Sequence, residues 1–67
     1  MKIILNDEAL ELPRAGMTVS DLLTWKQIGV QGTAIDIGDK LLKRDKWHET
    51  LLTDGMEITL ITAAFGG

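Results

Sequence analysis

The sequence predicts a single α+β domain in which one helix packs on one face of a mixed β-sheet. Three observations carry that prediction. Short β-favouring segments bracket one capped, amphipathic helical stretch. The last apolar segment, "MEITLITAA", alternates strictly between faces. The order strand, strand, helix, short strands, final strand gives two hairpin-like halves joined by a helix, which favours a helix laid across one sheet.

Each element has a local reason. "MKIILNDEALEL" reads as a hairpin. Ile3, Ile4 and Leu5 form the first arm, Asn6-Asp7-Glu8 the turn, and Ala9, Leu10 and Leu12 the return. Pro13 and Gly16 then interrupt regular structure. In "TVSDLLTWKQIG", Thr18 is placed to cap a helix, with Asp21 at the capping-box position three residues on. Val19, Leu22, Leu23 and the aliphatic stem of Lys26 share one helical face. Gly29 is a natural stop, so the helix is expected from about residue 19 to 28.

"TAIDIGDKLL" gives two short strands, 34–37 and 40–42, joined at Gly38-Asp39. "KRDKWHET" is polar apart from Trp47 and reads as a turn or short helix that seats the indole at the edge of the core. Asp54-Gly55 is a tight turn. The final strand runs to about Ala63, with Met56, Ile58 and Leu60 on one face and Glu57, Thr59 and Ile61 on the other. First and last strands lying side by side would run parallel at the sheet centre, which is the β-grasp, or ubiquitin-like, arrangement. It leaves residues 63–67 as a flexible tail projecting from one end of the sheet.

Composition narrows the function. With 67 residues the chain is one domain, 1–67, and buries only roughly 60% of its unfolded surface. It has no cysteine and one histidine, so its stability must come from an apolar core, which a hydrophobic content of 45% can supply. The lack of cysteine fits a reducing compartment. A net charge of −3 argues against nucleic acid and against an anionic membrane surface, and favours a basic partner surface. "MKIILNDEAL" has a short apolar run followed by acids and no cleavage-like site, and no apolar run approaches the ~20 residues of a membrane span. A cytoplasmic protein is expected.

Catalytic constellations are scarce. Ser20 is the only serine and falls in the first turn of the expected helix, with no partner base nearby in sequence. His48 lies in a charged turn, without a second His or Cys to share a metal. Asp36, Asp39 and Asp45 have turn and strand spacing and do not follow a calcium loop. Gly29, Gly32 and Gly38 form no phosphate loop. A stand-alone enzyme, a bound cofactor and a metal site are not expected.

The tail "AAFGG" is the remaining feature, read either as a frayed terminus or as a segment that enters a partner's active site. Two final glycines arise by chance in about one chain in two hundred at ~7% glycine usage, so the pair is informative in context. Neither has a Cβ, so the backbone can thread a narrow channel and approach a nucleotide closely. Joined to AMP, the terminal carboxylate gains a good leaving group that a sulfur nucleophile can displace. An extended chain from Thr62 to Gly67 reaches about 20 Å. An exposed apolar patch on the sheet would dock the body, drawing on Ile61, Leu60 or Met56 according to which face the helix covers. If Met56, Ile58 and Leu60 meet the helix, Thr59 and Ile61 face outward.

The chain resembles the ThiS family, the ubiquitin-like sulfur carriers of thiamin thiazole biosynthesis. The resemblance rests on "KIILND", "TVSDLL", "KRDKW", "DGMEITLI" and the terminal "GG", in that order and spacing over nearly the whole length. It implies that a ubiquitin-activating-type adenylyltransferase consumes ATP to adenylylate the Gly67 carboxylate. A persulfide on a partner then delivers sulfur to form a thiocarboxylate, which thiazole synthase accepts. By the same resemblance Gly67 bears the sulfur, Gly66 gives clearance, Ala64 and Phe65 complete the inserted tail, and Trp47 is structural. "GDKLLKR" departs from the Asn-Gly and Val-Pro-Arg-like stretch common in the family, with Gly38-Asp39 at the turn and Lys43 in place of the proline. Two alternatives stand beside this reading: a related carrier such as the small subunit of molybdopterin synthase, and a ubiquitin-like modifier or interaction module.

Overall fold

The structure is a computed structural model that describes residues 1–62. Strand β1 (Lys2–Leu5) turns back into β2 (Glu8–Glu11), and helix α1 (Val19–Trp25) follows. Then come β3 (Thr33–Ile37), β4 (Lys40–Leu42), a 3₁₀ turn at Arg44–Lys46 and β5 (Glu57–Thr62). The five strands lie in the order β2-β1-β5-β3-β4. β1 and β5 are parallel at the centre, and every other pair is antiparallel. The expected β-grasp arrangement is present, with α1 covering one face. No helix among the described residues is long and apolar enough to cross a membrane.

Both hairpins close on two-residue loops, at Asn6-Asp7 and Gly38-Asp39. All four loop residues have positive φ, between 49° and 68°. Both loops are therefore of the I′ type, whose twist matches that of the flanking strands and which Asn, Asp and Gly tolerate best. Glu8, read from sequence as part of the first turn, is the first residue of β2 instead, opposite Leu5. Gly38-Asp39 serves the same geometry as an Asn-Gly pair would.

The helix N-terminus is fully partnered. Thr18 Oγ1 accepts from the Asp21 amide at 3.1 Å, and Asp21 Oδ2 accepts from the Thr18 amide at 3.0 Å. The Val19 amide donates to the Thr50 carbonyl at 3.0 Å and the Ser20 amide to the Trp47 carbonyl at 3.2 Å. The first-turn donors that a helix leaves open are thus tied to the segment carrying Trp47. At the other end the helix stops earlier than expected, and Gly29 does not stop it. Gln27 takes the left-handed conformation at φ 59°. Its amide bonds the Thr24 carbonyl at 3.1 Å, and the Ile28 amide bonds the Leu23 carbonyl at 2.8 Å. These two bonds are the Schellman closure, here built on glutamine. Ile28 packs against the core, while the Lys26 stem expected on the apolar face is exposed and its Nζ lies 5.9 Å from the Trp25 ring.

The core between sheet and helix is Ile3, Leu12, Met17, Val19, Leu22, Leu23, Ile35, Trp47, Leu52 and Ile58. Trp47 is 3% exposed, and its Nε1–H donates to the Leu42 carbonyl at 3.0 Å. The "KRDKW" segment is polar because only its last side chain turns inward. The Arg44 guanidinium lies 5.7 Å from the indole centroid and donates to the Val30 carbonyl at 3.0 Å, which ties the loop after α1 to this turn.

Candidate functional site

The expected site has two parts, a tail and a docking face. Ala64, Phe65, Gly66 and Gly67 lie outside the described residues. The strand that leads to them is described, and its geometry is asymmetric. On one side β5 pairs with β3 along its whole length, from Ile58 opposite Ile37 to Thr62 opposite Thr33. On the other side it pairs with β1 only through Ile4–Glu57 and Leu5–Ile58. The chain then turns away at Asn6-Asp7. The Asn6 amide still reaches the Ile58 carbonyl at 3.0 Å, and Asn6 Oδ1 accepts from the Leu60 amide at 2.8 Å. A side chain there substitutes for one more residue of β1. Sequence reasoning did not find this role; the available signal was an asparagine in a turn beside the last strand.

The two faces of β5 are sharply different. Ile58 is buried, and Met56 and Leu60 pack against the core. Glu57, Thr59 and Ile61 are exposed on the opposite face, with Ile61 at 50%. Of the three residues expected to supply an exposed patch, Ile61 alone faces outward; Leu60 and Met56 belong to the inner layer because the helix covers the even-numbered face. Register brings further residues to the outer face: Ala34 opposite Ile61, Asp36 opposite Thr59, Leu41 opposite Asp36, and Ile4 opposite Glu57. Leu41 is 68% exposed. The outer face therefore combines apolar side chains with the carboxylates of Asp36 and Glu57, a chemistry suited to a partner with apolar and basic side chains. Ile4, Ala34 and Leu41 could not be assigned to this face without the strand register.

The polar residues considered for chemistry are dispersed. Ser20 sits in the first turn of α1, and its amide serves the Trp47 carbonyl. His48 is exposed, and its Nε2 is 3.9 Å from Glu49. Asp36 is in β3, Asp39 in a hairpin loop and Asp45 in the 3₁₀ turn, so they are not brought together. Among the described residues no group of three His, Cys, Asp or Glu side chains could hold a metal ion. Two exposed groups have shifted pKa values of structural origin. The hydrogen bond from the Thr18 amide, followed by that from its hydroxyl and the charge of Arg14, holds the Asp21 carboxyl below its ordinary value. Hydrogen bonding to Glu49, then the charges of Glu49 and Asp45, raises Lys46. Lys46 Nζ lies 3.2 Å from Glu49.

Comparison with known proteins agrees with this geometry. The model of the ThiS family matches residues 2–67. The sulfur carrier protein ThiS of Escherichia coli (strain K12) is 33% identical over 67 residues, with the whole of both chains covered. Among solved structures, the crystal structure of the thiamine biosynthesis protein (ThiS) from Geobacter metallireducens superposes with a TM-score of 0.85 at 17% identity, covering the whole of both chains. The NMR structure of a thiamine biosynthesis protein from the same organism gives a TM-score of 0.82 at 19% identity, covering all of this chain and 88% of that one. At these identities the structural matches speak to the fold.

Proposed function

The chain belongs to the ThiS family, and on that premise we propose that it is a sulfur carrier of thiamin biosynthesis whose reactive group is the Gly67 carboxylate. The observation that carries the reading is the family match extending through the final Gly-Gly, on a fold whose last strand leads directly to it. In this reading the chain is not itself an enzyme. A ubiquitin-activating-type adenylyltransferase binds ATP, and the carboxylate attacks the α-phosphorus, releasing pyrophosphate and forming an acyl adenylate. The adenylate makes the carbonyl carbon electrophilic, and the partner supplies the charge stabilisation that phosphoryl chemistry needs. The terminal sulfur of a partner persulfide then displaces AMP. A second partner thiol cleaves the resulting S–S bond, leaving the thiocarboxylate on Gly67 and a disulfide on the partner. Thiazole synthase accepts the sulfur.

The carrier contributes reach and recognition. Ala64, Phe65 and Gly66 form the inserted segment, and the absence of Cβ atoms in the glycine pair lets the acyl group approach the nucleotide. Thr59 and Ile61 lie at the centre of the face that docks, with Asp36 and Glu57 answering basic side chains of the partner. A direct test mixes the chain with the adenylyltransferase of the same organism and ATP, and measures pyrophosphate release. The expected result is release that depends on the carrier and is lost when Gly67 is deleted. Equal release from the truncated chain would reject the assignment.

A further inference from the structure

The C-terminal half of β5 has an open edge, and its backbone geometry defines which groups lie along it. The Met56 and Ile58 carbonyls point toward β1, where they accept from the Ile4 and Asn6 amides at 2.8 and 3.0 Å. The Glu57 carbonyl points toward β3, accepting from Gly38 at 3.3 Å. Because these directions alternate along a strand, Leu60 and Thr62 direct their backbone groups to the β1 side, and Thr59 and Ile61 direct theirs to β3. β1 has ended at Leu5. Asn6 satisfies the Leu60 amide and nothing beyond it. Among the described residues, the Leu60 carbonyl and the Thr62 amide have no backbone partner.

We propose that this edge, Leu60 to Thr62, is a strand-addition site, where an extended segment of the adenylylating partner pairs with the carrier as the tail enters its active site. The inference rests on the proposed function for the partner's identity. The edge and the tail are consecutive in the chain, so a protein that holds Gly67 sits within reach of Thr62. Main-chain pairing would continue the sheet and set the direction in which the tail departs. The Asn6-Asp7 loop borders the edge through the Asn6–Leu60 bond, and the exposed carboxylate of Asp7 in that loop favours a segment carrying basic side chains. A second copy of this chain is the poorer occupant. A stable interface buries about 800 Å² per partner, far more than three residues of strand edge supply.

The register provides a clean test. Thr62 faces Thr33 as a pair that exchanges no backbone bonds, so its amide has no partner among the described residues. Thr62→Pro deletes that donor without removing a bond to any other described residue, and a proline is tolerated on an edge whose N–H points outward. Thr62→Val changes the side chain and keeps the donor. Affinity for the adenylyltransferase is measured by titration calorimetry, and melting temperature by scanning calorimetry. The expected result is roughly tenfold weaker binding for Thr62→Pro, near-unchanged binding for Thr62→Val, and similar melting for all three chains. A fall in the exchange rate of the Thr62 amide of the unmodified chain on adding the enzyme would support the same pairing. Wild-type affinity in Thr62→Pro, or an equal loss in Thr62→Val, overturns strand addition while leaving the carrier role intact. Dimerisation of the chain alone that Thr62→Pro abolishes would overturn it in favour of a second copy. Failure of the unmodified chain to support pyrophosphate release rejects the proposed function and this inference with it.

Discussion

Replacing Trp47 tests how this small domain holds together. The indole is 3% exposed, packs in the main core and donates to the Leu42 carbonyl. Its carbonyl also holds the Ser20 amide of α1. Truncating a buried tryptophan to alanine costs about 3–5 kcal/mol. A chain of 67 residues has a total stability of about 3–10 kcal/mol at the usual stability per residue. Trp47→Ala therefore removes between about a third and all of the total. Trp47→Phe keeps an aromatic ring and loses the N–H, at a cost of about 1–2 kcal/mol from the unpaired Leu42 carbonyl and the smaller ring. Urea unfolding followed by far-UV circular dichroism reads both. With a slope near the lower end for small domains, about 1 kcal/mol per M, the midpoint falls by about 3 M or more for alanine and about 1–2 M for phenylalanine. A phenylalanine variant that unfolds at the wild-type midpoint would refute the role given to the indole hydrogen bond and its packing.

Three further outcomes are expected. Lys43 has φ −64° and ψ 145°, already the conformation of proline, and follows an extended residue. Lys43→Pro should raise stability by about 0.4–1 kcal/mol by restricting the unfolded chain, and a lowered thermal midpoint would contradict the backbone assignment. Asp21 has a depressed pKa, so its charged form stabilises the fold above the ordinary carboxylate range, and that contribution disappears as pH falls through the folded-state value. Asp21→Asn keeps an acceptor for Thr18 but has no charge to titrate. Its stability profile across acid pH should be flatter than wild type, and parallel profiles would contradict the capping account. Ile61→Thr keeps a β-branched residue on an exposed site and should shift stability by less than about 0.5 kcal/mol, while raising the KM for adenylylation about fivefold or more. An unchanged KM would remove Ile61 from the docking face.

The legible parts of the fold were those written in short-range chemistry. Thr18 and Asp21 announce a capping box, and both reciprocal bonds are present. The alternation of Met56 to Ile61 announces a two-faced strand, and the inner face is the one the helix covers. The strand 40–42 and the inward Trp47 follow from the same local logic. The helix end was not legible, because a Schellman closure on Gln27 competes with the nearby Gly29, and glutamine carries no signal for positive φ. The outer face was only partly legible. Ile61 is marked by period, but Ile4, Ala34 and Leu41 join it through pairings between strands distant in sequence. The Asn6–Leu60 bond, 54 residues apart in the chain, depends on the same long-range register.

The carrier reading places the chemistry on the main-chain acid of Gly67. Intact mass spectrometry after incubation with ATP, the adenylyltransferase and a persulfide donor addresses this most directly. The expected result is the mass increase of one oxygen exchanged for sulfur, confined by fragmentation to Gly67 and absent from a chain lacking that residue. An unchanged mass in the presence of active partners, or sulfur located anywhere else in the chain, would contradict it.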